Sequence, residues 1–333
     1  MTETTLPDMA AAVEARCEWI REQLRLLGKR TALVQLSGGI DSTVMTHLCA
    51  RALGPENVTA LYLPDNASTG LDTRAFVDEA VANAGVTLIE REIGAAIQAM
   101  QPLSEIHDIV RKYAPEFDPE LEAYAVNAVP SLAKRLGTLV YRLSIGPRHG
   151  QATRTLSISV DDLRAIIAYQ NRKQRTRMLF AYAEAEAGNH AVVGASNGDE
   201  LDTGFVVKYG DDAADICAIG DLSKQEVYAF ARELGVPQSI IDRAPTTDTY
   251  ALAQTQEDYY YALPAGVLRS LVLEMETAGP DGVDVTRYLD QCPGWSEAAL
   301  RQATSGLLAT VRLQRTRSLR PTSIHTTVTE ATA

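Results

Sequence analysis

No run of the 333-residue chain approaches the roughly 18 consecutive apolar residues that a membrane-spanning helix needs, which excludes a helical membrane protein. Nor does the N-terminal stretch place a basic segment before an apolar one, so no secretory signal is expected. Cysteine is scarce. Cys17, Cys49, Cys217 and Cys292 lie far apart with no Cys-x-x-Cys pair, which excludes a disulfide scaffold or a cysteine zinc site. They read as reduced thiols of a cytoplasmic protein. The five histidines are scattered and no His-Glu-x-x-His occurs, so a histidine metal site is not expected. Positive charge is short as well. With 31 Lys+Arg against 43 Asp+Glu the net charge is −12, the wrong sign for a general nucleic-acid binder. Internal repeats and low-complexity tracts are absent. What remains, 46% hydrophobic and 22% charged, is the composition of a globular protein with ample chain for a core.

The apolar pattern alternates between two periods. Residues 8–28 predict an amphipathic helix with Val13, Cys17, Ile20, Leu24 and Leu27 on one face and Gly28 at its end. Buried strands are expected at 31–36, 58–63, 86–92 and 191–196. Helices are expected after Ser37-Gly38-Gly39, at 72–85 and at 223–235. Strands alternating with helices predict βαβ units: an α/β fold with a doubly wound parallel sheet in a single domain. Residues 94–170 break the rhythm. They predict a helical insertion or lid, with helices around 96–112 and 118–136. Further helices are expected at 264–277 and 296–311, then a flexible tail over 321–333.

The chemistry concentrates in Ser37-Gly38-Gly39-Ile40-Asp41-Ser42, between the first strand and its helix. Two glycines let the backbone turn tightly and approach a ligand. The helix start offers free N–H groups and a partial positive charge suited to phosphate oxygens. Ser37 and Ser42 add hydroxyls. Asp41 would repel phosphate directly, so it is assigned to a Mg²⁺ ion bridging to the phosphates. The competing account is a serine cap on a glycine turn. The full SGGxDS pattern at a strand–helix junction is more specific than that. Neither the GxxxxGK[ST] loop nor the GxGxxG fingerprint stands in a comparable setting.

SGGIDS resembles the pyrophosphate loop of the N-type ATP pyrophosphatases, whose fold is adenine nucleotide α-hydrolase-like and which adenylate their substrates. Three further segments are similar to the NAD synthetase family within that group. Asn171-Arg172-Lys173-Gln174-Arg175-Thr176-Arg177-Met178 follows N-x-K-A-R-x-R-M, departing only at Gln174. Residues 194–224, with KYGD at 208–211, follow G-T-x-N-x-x-E…T-K-Y-G-D…D-L-x-K. Residues 234–248 follow L-G-V-P…P-T-A-D. The resemblance covers about 31–90 and 165–250. It implies ATP bound by Ser37, Gly38, Gly39, Asp41, Ser42, Lys224 and Thr246, with Asp41 and Lys224 as the catalytic pair. It implies Mg²⁺ on Asp41 and Glu200. It places the deamido-NAD substrate on Lys173, Arg175, Lys208 and Asp211. Two plainer accounts weigh against these roles: Glu200 as a helix cap, and residues 172–177 as a solvated helix face on which 173 and 177 share a side while 175 points elsewhere.

The reaction implied is amidation of a carboxylate through an acyl-adenylate, with deamido-NAD, ammonia and ATP giving NAD, AMP and pyrophosphate. No glutaminase segment is evident, so ammonia is expected free or from a separate glutaminase. A homodimer is implied; nucleic-acid and membrane partners are not. Four departures bear on the acid. Ala195 replaces a threonine, with Ser196 as a stand-in. The 94–170 connection is long. Tyr259-Tyr260-Tyr261 follows the P-T-x-D segment, where three tyrosines either stack on substrate or cover the core edge. Arg315, Arg317 and Arg320 replace a His-Lys-Arg element. They keep open an amide synthetase for another carboxylic acid. A tRNA-modifying adenylating enzyme is disfavoured by the acidic charge, and a non-catalytic nucleotide sensor by the retained Asp41, Glu200 and Lys224.

Overall fold

The computed structural model of the chain describes residues 9–65, 69–70, 72–136, 140–243, 250–252, 263–279, 282–304 and 311. Thr246, the tyrosines at 259–261, the arginines at 315, 317 and 320 and the 321–333 tail lie outside the described residues.

The first helix, α1 (Met9–Leu26), buries Val13, Cys17, Ile20 and Leu24, the spacing of one helical stripe. Fully burying Ile20 or Leu24 is worth about 1.5–3 kcal/mol each. Leu27, expected on the same face, is instead 45% exposed, because the helix ends at Leu26 and the chain turns through Gly28 at φ +67°.

Four short strands form the central sheet: β1 (Ala32–Gln35), β2 (Val58–Tyr62), β3 (Thr87–Glu90) and β7 (Ala191–Val193). All pairs are parallel and the order is β3-β2-β1-β7. Alternate side chains serve opposite layers. Ala32, Val34, Ala60 and Val193 join one core with α1, with α2 (Ile40–Leu53) and with a later helix over 224–233. Leu33, Leu61 and Val192 join another. That period of two with helices on both faces is the expected doubly wound fold. From β1 the chain steps outward to β2 and β3, then returns on the other side of β1 for β7. The loops after β1 and β7 therefore diverge at a topological switch point, and a crevice opens at the carboxyl ends of these strands.

The insertion is not wholly helical. Beyond α3 (Thr73–Ala84), α4 (Gly94–Met100) and α5 (Leu103–Arg111) occupy the expected 96–112 region, broken at Pro102. The helix expected at 118–136 is absent. That stretch forms β4 (Glu122–Ala128) and a short α6 (Pro130–Leu136). Pro130 is excluded from the interior of a helix spanning 118–136 and instead opens α6. Antiparallel pairing along all seven residues of β4 becomes available once β5 (Tyr141–Pro147) folds back, with β6 (Arg154–Leu156) beyond it. Helical periodicity in this stretch loses to a ladder whose partner lies well down the chain. This second sheet packs on α5 and on α7 (Val160–Gly188), a 29-residue helix capped by Ser159.

After β7 come α8 (Gly198–Thr203), α9 (Lys224–Glu233), α10 (Gln238–Ile241) and α11 (Ala265–Ala278). The last anchors a separate cluster through Leu268, Leu271, Val272 and Met275, packed with Tyr288, Trp295 and Leu300. Residues 297–304 are helical, within the predicted 296–311. No helix among the described residues is long and apolar enough to cross a membrane.

Candidate active site

The loop after β1 is held open by its own hydroxyls. Ser37 and Ser42 Oγ atoms stand 3.1 Å apart; Ser42 Oγ accepts from Ser37 N at 3.2 Å and donates to Gly39 O at 3.0 Å. Gly39 is the N-cap of α2 and has no side chain to close over the first-turn N–H groups. Helices α8 and α9 are each closed by a capping box. The N-terminus of α2 thus keeps its partial positive charge facing the crevice.

Gly38 adopts φ +74°, and a Cβ there would stand 3.1 Å from Phe76 Cβ and 3.2 Å from Thr73 O. Arg243 fixes the same turn. It donates to Gly38 O and to Thr73 Oγ1, each at 3.1 Å, and stacks over the Phe76 ring at 4.5 Å. Gly38→Ala is expected to lose about 1–2 kcal/mol of stability from the left-handed backbone alone. It should weaken ATP binding further, read by urea unfolding and by ATP titration of the folded variant. Unchanged ATP affinity would remove this turn from the nucleotide site.

Residues following β7 bring the second wall alongside. Asp41, in the first turn of α2, pairs through Oδ2 with Lys224 Nζ, and through Oδ1 accepts from Asn197 Nδ2 at 3.0 Å. Asn197 is also the N-cap of α8. Its Oδ1 accepts from Glu200 N at 3.0 Å, while Glu200 Oε2 accepts from Asn197 N at 3.1 Å. Glu200 is therefore a helix cap, as its plainer account expects, and also an acidic neighbour of Asp41. Burial, then the Asp41 charge, push the Glu200 carboxyl up to about 8 against the pull of Lys224. Burial pushes the Lys224 ammonium down, but Asp41 and Glu200 outweigh it and hold its pKa above the usual value. Two acidic side chains thus bear on one lysine.

The expected substrate residues divide. Arg175 Nε donates to Lys208 O at 3.1 Å, and Lys208 lies over the Tyr209 ring. Asp211 Oδ1 accepts from Val207 N at 2.6 Å and is pushed up to about 6 by burial. These three gather where the 207–211 turn meets α7. Lys173 is elsewhere. It pairs with Asp65 at 2.8 Å, each side chain only 4% exposed, and lines a cleft with His107, Tyr124, Gln170 and Tyr250. Arg177, one turn on, donates to Leu63 O. The sharing of a face by 173 and 177, with 175 pointing away, is as the spacing predicts. Ser196 Oγ is turned to Asp211 O, 3.5 Å away.

Four site residues were not singled out from the sequence. Asn197 stands inside the GASNGDE segment, where its capping role was readable but not its bond to Asp41. Asp65 follows β2 with no pattern around it. Arg243 is ten residues beyond the last residue of α9, and Asp199 is one acidic residue among three in six.

A parallel α/β sheet, a glycine turn opening a helix, and an acid–lysine pair at the switch point define a nucleotide-binding enzyme of the adenine nucleotide α-hydrolase-like kind. The comparisons give the family. The NAD synthase family model matches residues 12–116 and 119–264. The NH3-dependent NAD+ synthetase of Rhizobium meliloti (strain 1021) is 38% identical over 265 residues, 79% of this chain and 77% of that protein. The protein of the same description from Rhizobium rhizogenes is 39% identical over 260 residues, 77% of this chain and 76% of that one. Among solved structures, an NMN synthetase from Francisella tularensis superposes with a TM-score of 0.62 at 21% identity. That match covers 94% of this chain and 98% of that one. An NH3-dependent NAD synthetase from Campylobacter jejuni gives 0.55 at 21% identity, over 93% and 94% of the two chains. The chain belongs to the NAD synthase family.

Proposed function

We propose that the protein makes NAD by ATP-dependent amidation, joining ammonia to the carboxylate of deamido-NAD and releasing AMP and pyrophosphate. The observation that carries this reading is the Asp41–Lys224–Asn197–Glu200 cluster facing the uncapped start of α2 in a chain of this family.

The chemistry asks for activation. A carboxylate does not react with ammonia at neutral pH, because oxide is not a viable leaving group. Attack of the carboxylate oxygen on the α-phosphorus of ATP expels pyrophosphate and forms an acyl-adenylate. Ammonia then attacks the acyl carbon and AMP departs with the bonding electrons. The protein supplies no covalent nucleophile. Ser37, Gly38, Gly39 and Ser42 present N–H and hydroxyl donors to the phosphates, joined in this reading by Thr246. Lys224 neutralises charge as pyrophosphate leaves. Arg175, Lys208 and Asp211 hold the acid substrate, with Lys173, buried on the same helix as Arg175, assigned to the same side.

Asp41 and Glu200 would hold Mg²⁺, which supplies charge neutralisation on the pyrophosphate. Mg²⁺ is commonly held by one or two carboxylates, with phosphate oxygens and water completing its shell. The donor set suits that role: two acidic side chains stand beside one lysine, and a bound dication would favour the ionised Glu200 that burial disfavours. The reading also carries a homodimer, a cytoplasmic location, and ammonia taken free or from a separate glutaminase.

The test is release of AMP and pyrophosphate from Mg·ATP and ammonium, with and without deamido-NAD, alongside direct detection of NAD. Stimulation by deamido-NAD with one NAD per AMP is expected. ATP binding without NAD formation would overturn the assignment of the acid.

A further inference from the structure

The family match ends at residue 264, and α11 begins at residue 265. This helix nonetheless reaches the site. Its Arg269 spreads one guanidinium over three acceptors. Nε donates to Asp202 Oδ2 at 2.8 Å, Nη2 donates to Asp221 O at 3.0 Å, and Nη1 pairs with Asp199 Oδ1 at 3.4 Å. Two of the acceptors sit on α8 and the third just before α9. Asp199 is 4% exposed, and its other oxygen accepts from Lys224 N at 2.9 Å. Lys224 is the first residue of α9 and sends its ammonium to Asp41. A continuous chain of contacts therefore runs from α11 through Asp199 to the lysine backbone and on to the phosphate-loop acid.

The fit is close around the arginine. A Cβ at Gly198 would lie 2.7 Å from Arg269 Nη2 and 2.9 Å from the Asp221 carbonyl carbon, so the guanidinium is packed flat against a bare backbone. Gly198 N donates to Leu222 O at 2.7 Å, tying the same two segments together a second time. The far side of α11 is locked by its own apolar cluster, which also takes Phe205 from beyond α8. Arginine suits the place because its planar fork reaches several acceptors at once, which an ammonium on a flexible stem does not.

We infer that Arg269 and Asp199 are positioning residues for Lys224: helix α11 sets the register at which the lysine meets the leaving pyrophosphate. This rests on the reading of Lys224 as a phosphate ligand, and it makes α11 part of the ATP-cleaving machinery.

Removing Arg269 alone would strand a buried carboxylate, so the informative variant is Arg269→Met combined with Asp199→Asn, which leaves the net charge of the Arg269–Asp199–Asp202 group unchanged and lets residue 199 still accept from Lys224 N. Arg269→Lys is its conservative partner. Affinity for magnesium pyrophosphate is measured by calorimetry in wild type and each variant, and again in a Lys224→Met background. The double variant is expected to bind pyrophosphate about tenfold more weakly, Arg269→Lys to recover part of that loss, and neither to weaken binding further once Lys224 is gone. Binding within twofold of wild type would overturn the inference. So would an equal loss in the Lys224→Met background, which would mean a general disturbance of the fold. If Lys224→Met itself leaves pyrophosphate binding intact, the reading of Lys224 fails and the inference with it. The measurement is indifferent to which acid the enzyme amidates, so an error there does not disturb it.

Discussion

Asp41→Asn is expected to reduce AMP and pyrophosphate release by about 10²–10³-fold while leaving a folded protein. The substitution keeps the shape of the side chain and an oxygen able to accept from Asn197. What it removes is the charge that pairs with Lys224 and, in the proposed reading, helps hold Mg²⁺. Glu200 stays beside Lys224 as a second acidic partner, so the lysine is not left without a counter-charge and the fold should persist. Steady-state kinetics with saturating ammonium separate the two parts of the claim. A kcat for AMP formation within threefold of wild type would show that Asp41 is only a first-turn acid supporting its helix.

The second large effect concerns stability. Lys173 and Asp65 form an ion pair whose side chains are each 4% exposed, with Lys173 also over the Tyr169 ring at 5.6 Å. Burial lowers the Lys173 pKa against the pull of Asp65. Breaking such a pair leaves one charge uncompensated in the interior, a loss of about 3–5 kcal/mol. Lys173→Met and Asp65→Asn should each lower the unfolding free energy by that amount, read from urea titration. The combined change should cost clearly less than the two losses added, because neither charge is then stranded. A loss under about 0.5 kcal/mol for Lys173→Met would instead describe a surface cation. The folded double variant also reads the substrate role. A KM for the acid that rises while the KM for ATP holds assigns Lys173 to the acid side.

These two residues show how far the sequence could be read. Asp41 was legible because its chemistry is local: glycine turn, helix start and acid follow one another within six residues of a predicted strand. Arg175 and Lys208 stand 33 residues apart, and only the KYGD and N-x-K motifs joined them before the fold put Arg175 on the Lys208 carbonyl. Asp65 carried no signal. Its meaning comes from a lysine more than a hundred positions away, brought to it when α7 lies across the end of β2.

Strand and helix periods, the switch from β1 to an uncapped helix, and the ordered motifs were determined by the sequence alone. They rest on interactions between near neighbours: side-chain alternation, capping, and the turns that glycine permits. The 118–136 stretch is the converse case, where helical periodicity gave way to β4 because its hydrogen-bonding partner lies in β5. Tertiary structure alone decided that Asn197 bridges Asp41 to the cap of α8, that Lys173 is an interior ion, and that Arg269 reaches Asp199 from α11. Each of those depends on which elements lie side by side. That choice is made by burial of the two faces of the central sheet and is not written in any short stretch of chain.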